Sequence, residues 1–293
     1  MPNCSEPGML MTEPVEHCVR AGDVDLCYFE WGEPDDEPTI LLVHATGFHA
    51  RCWDQTVAHL PGRHVIAVDM RGHGRSEKKP PYNWRTFGRD LAAFVSALDL
   101  HQLVAAGHSM GGHSLVQAAA ADPGRFDRLV LVDPVMLPPA AYDQFQPQSP
   151  EAHPVARRRN VFESPKAMAA NLAGRGGYAH FLQAALDDYC RFGLLPNPDG
   201  DGFVLACPPL VEATIYTGSA EASIFDLCSQ VHCPVTVLRA APREPGETQM
   251  DFSKSPTWPD LATQFENGVD DFHPELSHFI PMQAPELVAQ HCS

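Results

Sequence analysis

The chain is short of basic residues, of paired cysteines and of long apolar runs, and each shortage removes a class of function. Lys and Arg number 20 against 37 Asp and Glu, a formal net charge of −17 over 293 residues, and sixteen of the twenty basic residues are Arg. Surfaces that bind nucleic acid or anionic lipid are basic, so neither is expected as a partner. No stretch reaches the roughly 18 apolar residues of a membrane-spanning helix. The opening MPNCSEPGMLMTEPVE lacks the positive n-region and apolar h-region of a secretory leader, and the sequence reads as a cytoplasmic protein. Nine cysteines without a C-x-x-C pair fit reduced thiols buried in a core better than a disulfide framework or a zinc site. H-E-x-x-H, phosphate-loop and G-x-G-x-x-G patterns are missing and the histidines are dispersed, so no metal and no cofactor are expected.

What is present is enough apolar sequence, 44%, to bury a large core, and one stretch with a chemical signature. Residues 103–112 read LVAAGHSMGG, with Ser109 at the centre of G-x-S-x-G. The run from Leu103 to Ala106 is apolar and strand-like. Met110 to Ala121 is small and helix-forming until Pro123 and Gly124. A serine held between a buried strand and a helix forms a nucleophile elbow, in which its hydroxyl is exposed on a strained turn. Gly107 and Gly111 are then required because side chains there would collide where strand and helix meet. The elbow also places the backbone N–H of Met110 beside the serine as an oxyanion donor.

Around the elbow the chain alternates. Two strands, Glu16 to Arg20 and Asp23 to Trp31, read as a hairpin, and Thr39 to Ala45 and His64 to Met70 as strands covered on both faces. The spacing predicts a helix from Ala50 to Leu60 and another from Arg85 to Leu100, the latter burying Phe87, Leu91, Phe94, Val95 and Leu98. Arg128 to Asp133 is a further strand. The rhythm breaks over residues 135–230, which contain no run that reads as a buried strand but show helical stretches at Ser164 to Leu172, Tyr178 to Phe192 and Leu210 to Tyr216. It returns with a strand at Pro234 to Ala240, a helix near Pro259 to Phe265, a short strand near Val269 to His273 and a last helix from Pro285 to His291. Alternating strands and helices imply an α/β fold, a mostly parallel sheet with helices on both faces. The expected organisation is an arm over residues 1–15, a core of 16–134 and 231–293, and a helical cap, or lid, over 135–230.

The loop His44 to Phe48, the DMRGHGRS stretch from Asp69 to Ser76, the GHSMGG elbow and the closing PELSHFIPMQAPE from Pro274 to Glu286 together resemble the α/β-hydrolase superfamily. The resemblance covers essentially Glu16 to the C-terminus. It implies an eight-stranded sheet, a cap after the sixth strand, and a nucleophile, an acid and a histidine. By this likeness the general base is His278, in the loop after the last strand, which would take the Ser109 proton. His108 should point away from Ser109, His44 should order the oxyanion loop, and His73 and His49 should be structural or line the pocket. In most of the family the acid follows the seventh strand, where Glu244 and Asp251 stand. In a smaller set, including some haloalkane dehalogenases and zearalenone-type lactonases, it ends the sixth strand, where Asp133 stands. Asp133 is preferred, with the other two kept open. The second oxyanion donor is assigned to the N–H of Thr46, with Phe48 next in line.

These residues describe a serine hydrolase of the esterase or lactonase type, acting on a small-molecule ester or lactone through an acyl-enzyme. A C–C bond hydrolase or perhydrolase on the same triad, and a ligand-binding or signalling protein on the same scaffold, are the alternatives. Within the cap, Arg157, Arg158 and Arg159 could hold a substrate carboxylate, but ion pairing with surface acids is the plainer reading. Tyr178, Phe181, Tyr189, Phe192 and Tyr216 either line an apolar pocket or pack the cap onto the core.

Overall fold

The computed structural model describes residues 13–144, 146–219, 223–242 and 253–293. In chain order, β1 (Val15–Ala21) and β2 (Val24–Trp31) form an antiparallel hairpin, followed by β3 (Ile40–Val43), a short helix α1 (Asp54–Val57) and β4 (Val65–Val68). Helix α2 (Trp84–Ala97), β5 (Leu103–His108), α3 (Met110–Ala121) and β6 (Phe126–Val132) complete the first half. The next stretch carries α4 (Pro139–Asp143), β7 (Val161–Phe162), α5 (Pro165–Leu172), α6 (Gln183–Phe192), β8 (Leu194–Pro196), β9 (Phe203–Leu205), α7 (Pro209–Thr217) and α8 (Phe225–Cys228). The chain closes with β10 (Val235–Ala240), β11 (Gly268–His273), α9 (Ile280–Gln283) and α10 (Pro285–Cys292).

Eight strands make one sheet in the order β1-β2-β4-β3-β5-β6-β10-β11. The pairs β1/β2 and β2/β4 are antiparallel and every later pair is parallel. Every residue of β3, β4 and β5 is buried, as expected of strands sandwiched between helical layers. The period of two sorts them cleanly: Leu41 and Val43 face a core shared with Phe87 and Leu91 of α2 and Leu115 of α3, while Ile40 and Leu42 face one shared with Trp53, Val57 and Val288. Asn83 starts α2 by accepting the Thr86 N–H at 2.9 Å. Its buried stripe is Phe87, Leu91, Phe94 and Val95, the predicted spacing.

Two expectations need correction. The helix expected over 50–60 is a 3-10 turn, Ala50–Trp53, followed by the single turn of α1. The stretch near residues 259–265 is likewise a 3-10 turn, Leu261–Gln264. The stretch between β6 and β10 holds no fully buried strand but does carry a small three-stranded antiparallel sheet of order β7-β9-β8. Strands of two and three residues are too short to display periodicity, so no pattern marks them. A third apolar cluster joins Ala45, Phe48 and Cys52 to Phe162, Met168, Leu186 and Tyr189, and it fastens the stretch between β6 and β10 onto the sheet's loops.

Candidate active site

Ser109 sits between β5 and α3 with φ 57° and ψ −114°, a conformation that non-glycine residues avoid. Close packing on both sides holds it there. A Cβ on Gly111 would lie 2.2 Å from the Val43 carbonyl oxygen, and one on Gly107 would lie 2.6 Å from the carbonyl of Gly111. The Ser109 N–H donates to the Val132 carbonyl at 3.0 Å, which ties the turn to the neighbouring strand.

Asp133 follows β6 and is fully buried, also at positive φ, 44°. Its Oδ1 accepts from the Ala240 N–H at 3.0 Å and Ser255 Oγ at 2.6 Å, with Thr257 Oγ1, whose hydrogen it shares with the Pro134 carbonyl, at 3.2 Å. These donors meet the acceptor sites of a carboxylate that has no access to water. Its Oδ2 accepts from His278 Nδ1 at 2.6 Å, and His278 Nε2 stands 3.1 Å from Ser109 Oγ. With Nδ1–H turned to the carboxylate, the Nε2 lone pair faces the serine hydroxyl. The structure thus brings together Ser109, His278 and Asp133. Glu244 and Asp251 lie outside the described residues.

Three other histidines brace this arrangement. His44 donates from Nδ1 to the Ala45 carbonyl at 2.7 Å and accepts the Met70 N–H on Nε2 at 2.9 Å. His73 donates to the Arg71 carbonyl and accepts the Gly47 N–H, each at 3.0 Å. Each ring therefore uses one donor and one acceptor, which only a neutral imidazole can do. Burial pulls His44 below the ordinary histidine range and His73 well below it. His108 donates to the His278 carbonyl at 2.8 Å, with ring centroids 5.0 Å apart. Burial, and then the neighbouring His278, pull it well below its usual range, so a neutral ring supports the loop that carries His278.

The loop's amides divide in an informative way. The Gly47 N–H is engaged by His73 and the Phe48 N–H by the Ala45 carbonyl at 3.1 Å. Among the described residues the N–H groups of Thr46 and Met110 have no protein acceptor. Both stand next to Ser109, Thr46 in the lining of its cavity and Met110 as the first residue of α3, where helix amides are left unpaired. Sequence reasoning missed Ser255 and Thr257 as donors to Asp133, because nothing in their proline-rich surroundings marks them.

A cavity of about 250 Å³ opens beside Ser109 and His278, walled by Trp84, Val135, Leu137, Tyr216 and Phe279. Of the three arginines, Arg158 pairs with Glu212 at 2.7 Å, but that acid is buried and not a surface group. Arg159 donates to the Val161 carbonyl and lies over the Phe162 ring at 4.7 Å. Tyr216 reaches the Thr46 carbonyl at 3.5 Å. Among the described residues no cluster of three or more His, Cys, Asp or Glu could hold a metal ion, and no helix is long and apolar enough to cross a membrane.

Comparison with known proteins shows what the chain is similar to. Non-heme chloroperoxidase of Streptomyces lividans is 36% identical over 138 residues, 42% of this chain and 50% of that protein. The 3-oxoadipate enol-lactonase 2 of Acinetobacter baylyi is 31% identical over 125 residues, 41% of this chain and 46% of that protein. The chain thus spans about half the length of these curated relatives. The solved structure of E-2-(acetamidomethylene)succinate hydrolase shares the fold with a TM-score of 0.76 over 94% of this chain and 97% of that one, at 24% identity. With a family model described as alpha/beta hydrolase fold matching residues 38–188, more than half its length, the chain belongs to the α/β-hydrolase fold family.

Proposed function

We propose that the protein is a serine hydrolase that cleaves a carboxylic ester or lactone through an acyl-enzyme. The observation that carries this reading is the continuous hydrogen-bonded path from Ser109 Oγ through His278 to Asp133, at 3.1 and 2.6 Å. As Ser109 attacks the carbonyl, His278 Nε2 takes its proton and then returns it to the leaving oxygen. Asp133 holds the imidazole in the productive tautomer and offsets the charge it gains. The N–H groups of Met110 and Thr46 stabilise the oxyanion. Water then attacks the acyl-enzyme by the same proton route. Residues 135–230 act as the lid over this pocket.

The test is turnover of short p-nitrophenyl esters and simple lactones, with fluorophosphonate labelling mapped by peptide mass. Hydrolysis and labelling at Ser109, both absent from Ser109→Ala, are expected. A well-folded sample that does neither contradicts the reading and favours a binding protein. The similarity to a chloroperoxidase favours a second use of the same groups, in which hydrogen peroxide in place of water attacks the acyl-enzyme and releases a peracid. Adding peroxide to the ester assay and following peracid separates the two.

A further inference from the structure

Beyond the cavity at Ser109 lies a second of about 430 Å³, larger than the first and sharing Phe48, Tyr216 and Phe279 with it as common walls. The proposed chemistry makes no use of it. Besides Arg159, Asn171 and Tyr216, its polar lining is one hydrogen-bonded cluster. Arg158 donates from Nη1 to Glu212 Oε2 at 2.7 Å and from Nη2 to the hydroxyls of Tyr178 at 3.3 Å and Tyr189 at 3.2 Å. The two hydroxyls are 3.3 Å apart.

Counting protons gives the cluster a direction. Nη2 spends both its hydrogens on the two phenol oxygens, and one phenol hydrogen bridges the pair. The other phenol hydrogen has no acceptor within the cluster. Tyr189 is 2% exposed and Tyr178 half-buried, and both line the chamber; with the more buried Tyr189 as the bridging donor, the Tyr178 O–H is left to face it. Glu212 neutralises Arg158, so an incoming carboxylate would have to compete with it there, and the other cation in the lining, Arg159, is turned to the Val161 carbonyl and the Phe162 ring. The walls are aromatic and aliphatic: Phe48, Phe162, Leu172 and Phe279.

We infer that this chamber is a subsite for the far end of the substrate, and that it takes a neutral ring bearing a hydrogen-bond acceptor such as an ether, keto or phenol oxygen. Tyr178 donates to that oxygen while the ester or lactone carbonyl lies at Ser109. This inference rests on the hydrolase reading for its substrate, but occupancy of the chamber does not.

The experiment compares p-nitrophenyl esters of p-methoxyphenyl-, p-ethylphenyl- and p-carboxyphenylalkanoic acids of graded spacer length. For one spacer the methoxy ester should exceed the ethyl ester in kcat/KM by about fivefold, the worth of one directed hydrogen bond. In Tyr178→Phe, checked for an unaltered melting curve, that ratio should fall to near one. Binding of the corresponding methoxyaryl amides to Ser109→Ala, followed by calorimetry, reads the chamber without turnover. Binding there with no hydrolysis by the parent protein would overturn the hydrolase reading and leave the subsite standing. Equal rates for methoxy and ethyl esters at every length, an unchanged ratio in Tyr178→Phe, or preference for the carboxy ester would each overturn the subsite as described.

Discussion

Asp133 and Ser109 both stand at positive φ, at the ends of adjacent parallel strands, and the backbone tolerates this because each is held from several sides. For Asp133 the holding groups are Ala240, Ser255 and Thr257 on one oxygen and His278 on the other. Asp133→Asn keeps the shape but turns an amide toward His278 Nδ1, which favours the wrong tautomer. The expected outcome is a fall in kcat by about 10³–10⁴ with KM little changed, measured by steady-state kinetics. A near-native rate would pass the role of acid to Glu244 or Asp251. The sequence could place three carboxylates near the site but could not choose among them by periodicity. What distinguishes Asp133 is a set of donors drawn from residues more than a hundred positions away.

At the level of elements, the elbow was legible because its requirements are local: an apolar strand, two glycines without room for a side chain, and a helix of small residues. Gly111→Ala tests that directly. Its Cβ would meet a backbone carbonyl that cannot rotate away, so a loss of at least about 3 kcal/mol is expected in chemical denaturation. Gly124→Ala, whose Cβ would come no nearer than 3.9 Å to any neighbour, should cost less than about 0.5 kcal/mol. The long interior strands and α2 were legible for the same local reason. The sheet of β7, β8 and β9 was not, because strands of two and three residues hold too few repeats of the strand period to show it and exist only through their pairing. The bracing by His44, His73 and His108 was half legible: the residues stood out by type, but their partners lie across the fold.

In the whole molecule, the junction between the sheet's loops and the stretch from β6 to β10 depends on buried neutral groups. His49 hydrogen-bonds the Tyr189 carbonyl at 3.1 Å, and burial pushes its pKa down to about 4. Below its ordinary value of 6.5 the unfolded chain takes a proton there that the folded chain refuses until about pH 4. Stability should therefore fall as pH drops through that window. Asp54, pushed up to about 6 by burial, works in the opposite sense, so the clean measurement is a difference. Between pH 7 and pH 5, His49→Gln should lose about 2 kcal/mol less stability than the parent protein, read from urea denaturation at each pH. Identical slopes would mean that this histidine is not held neutral.

The most direct measurement of the central claim is intact and peptide mass spectrometry of an acid-quenched reaction with a slowly deacylating ester. The protein should gain the mass of the acyl group, the gain should map to Ser109, and it should be abolished in Ser109→Ala and formed much more slowly in Asp133→Asn. Steady hydrolysis with no acyl group on Ser109, or hydrolysis that survives its replacement, would contradict the mechanism.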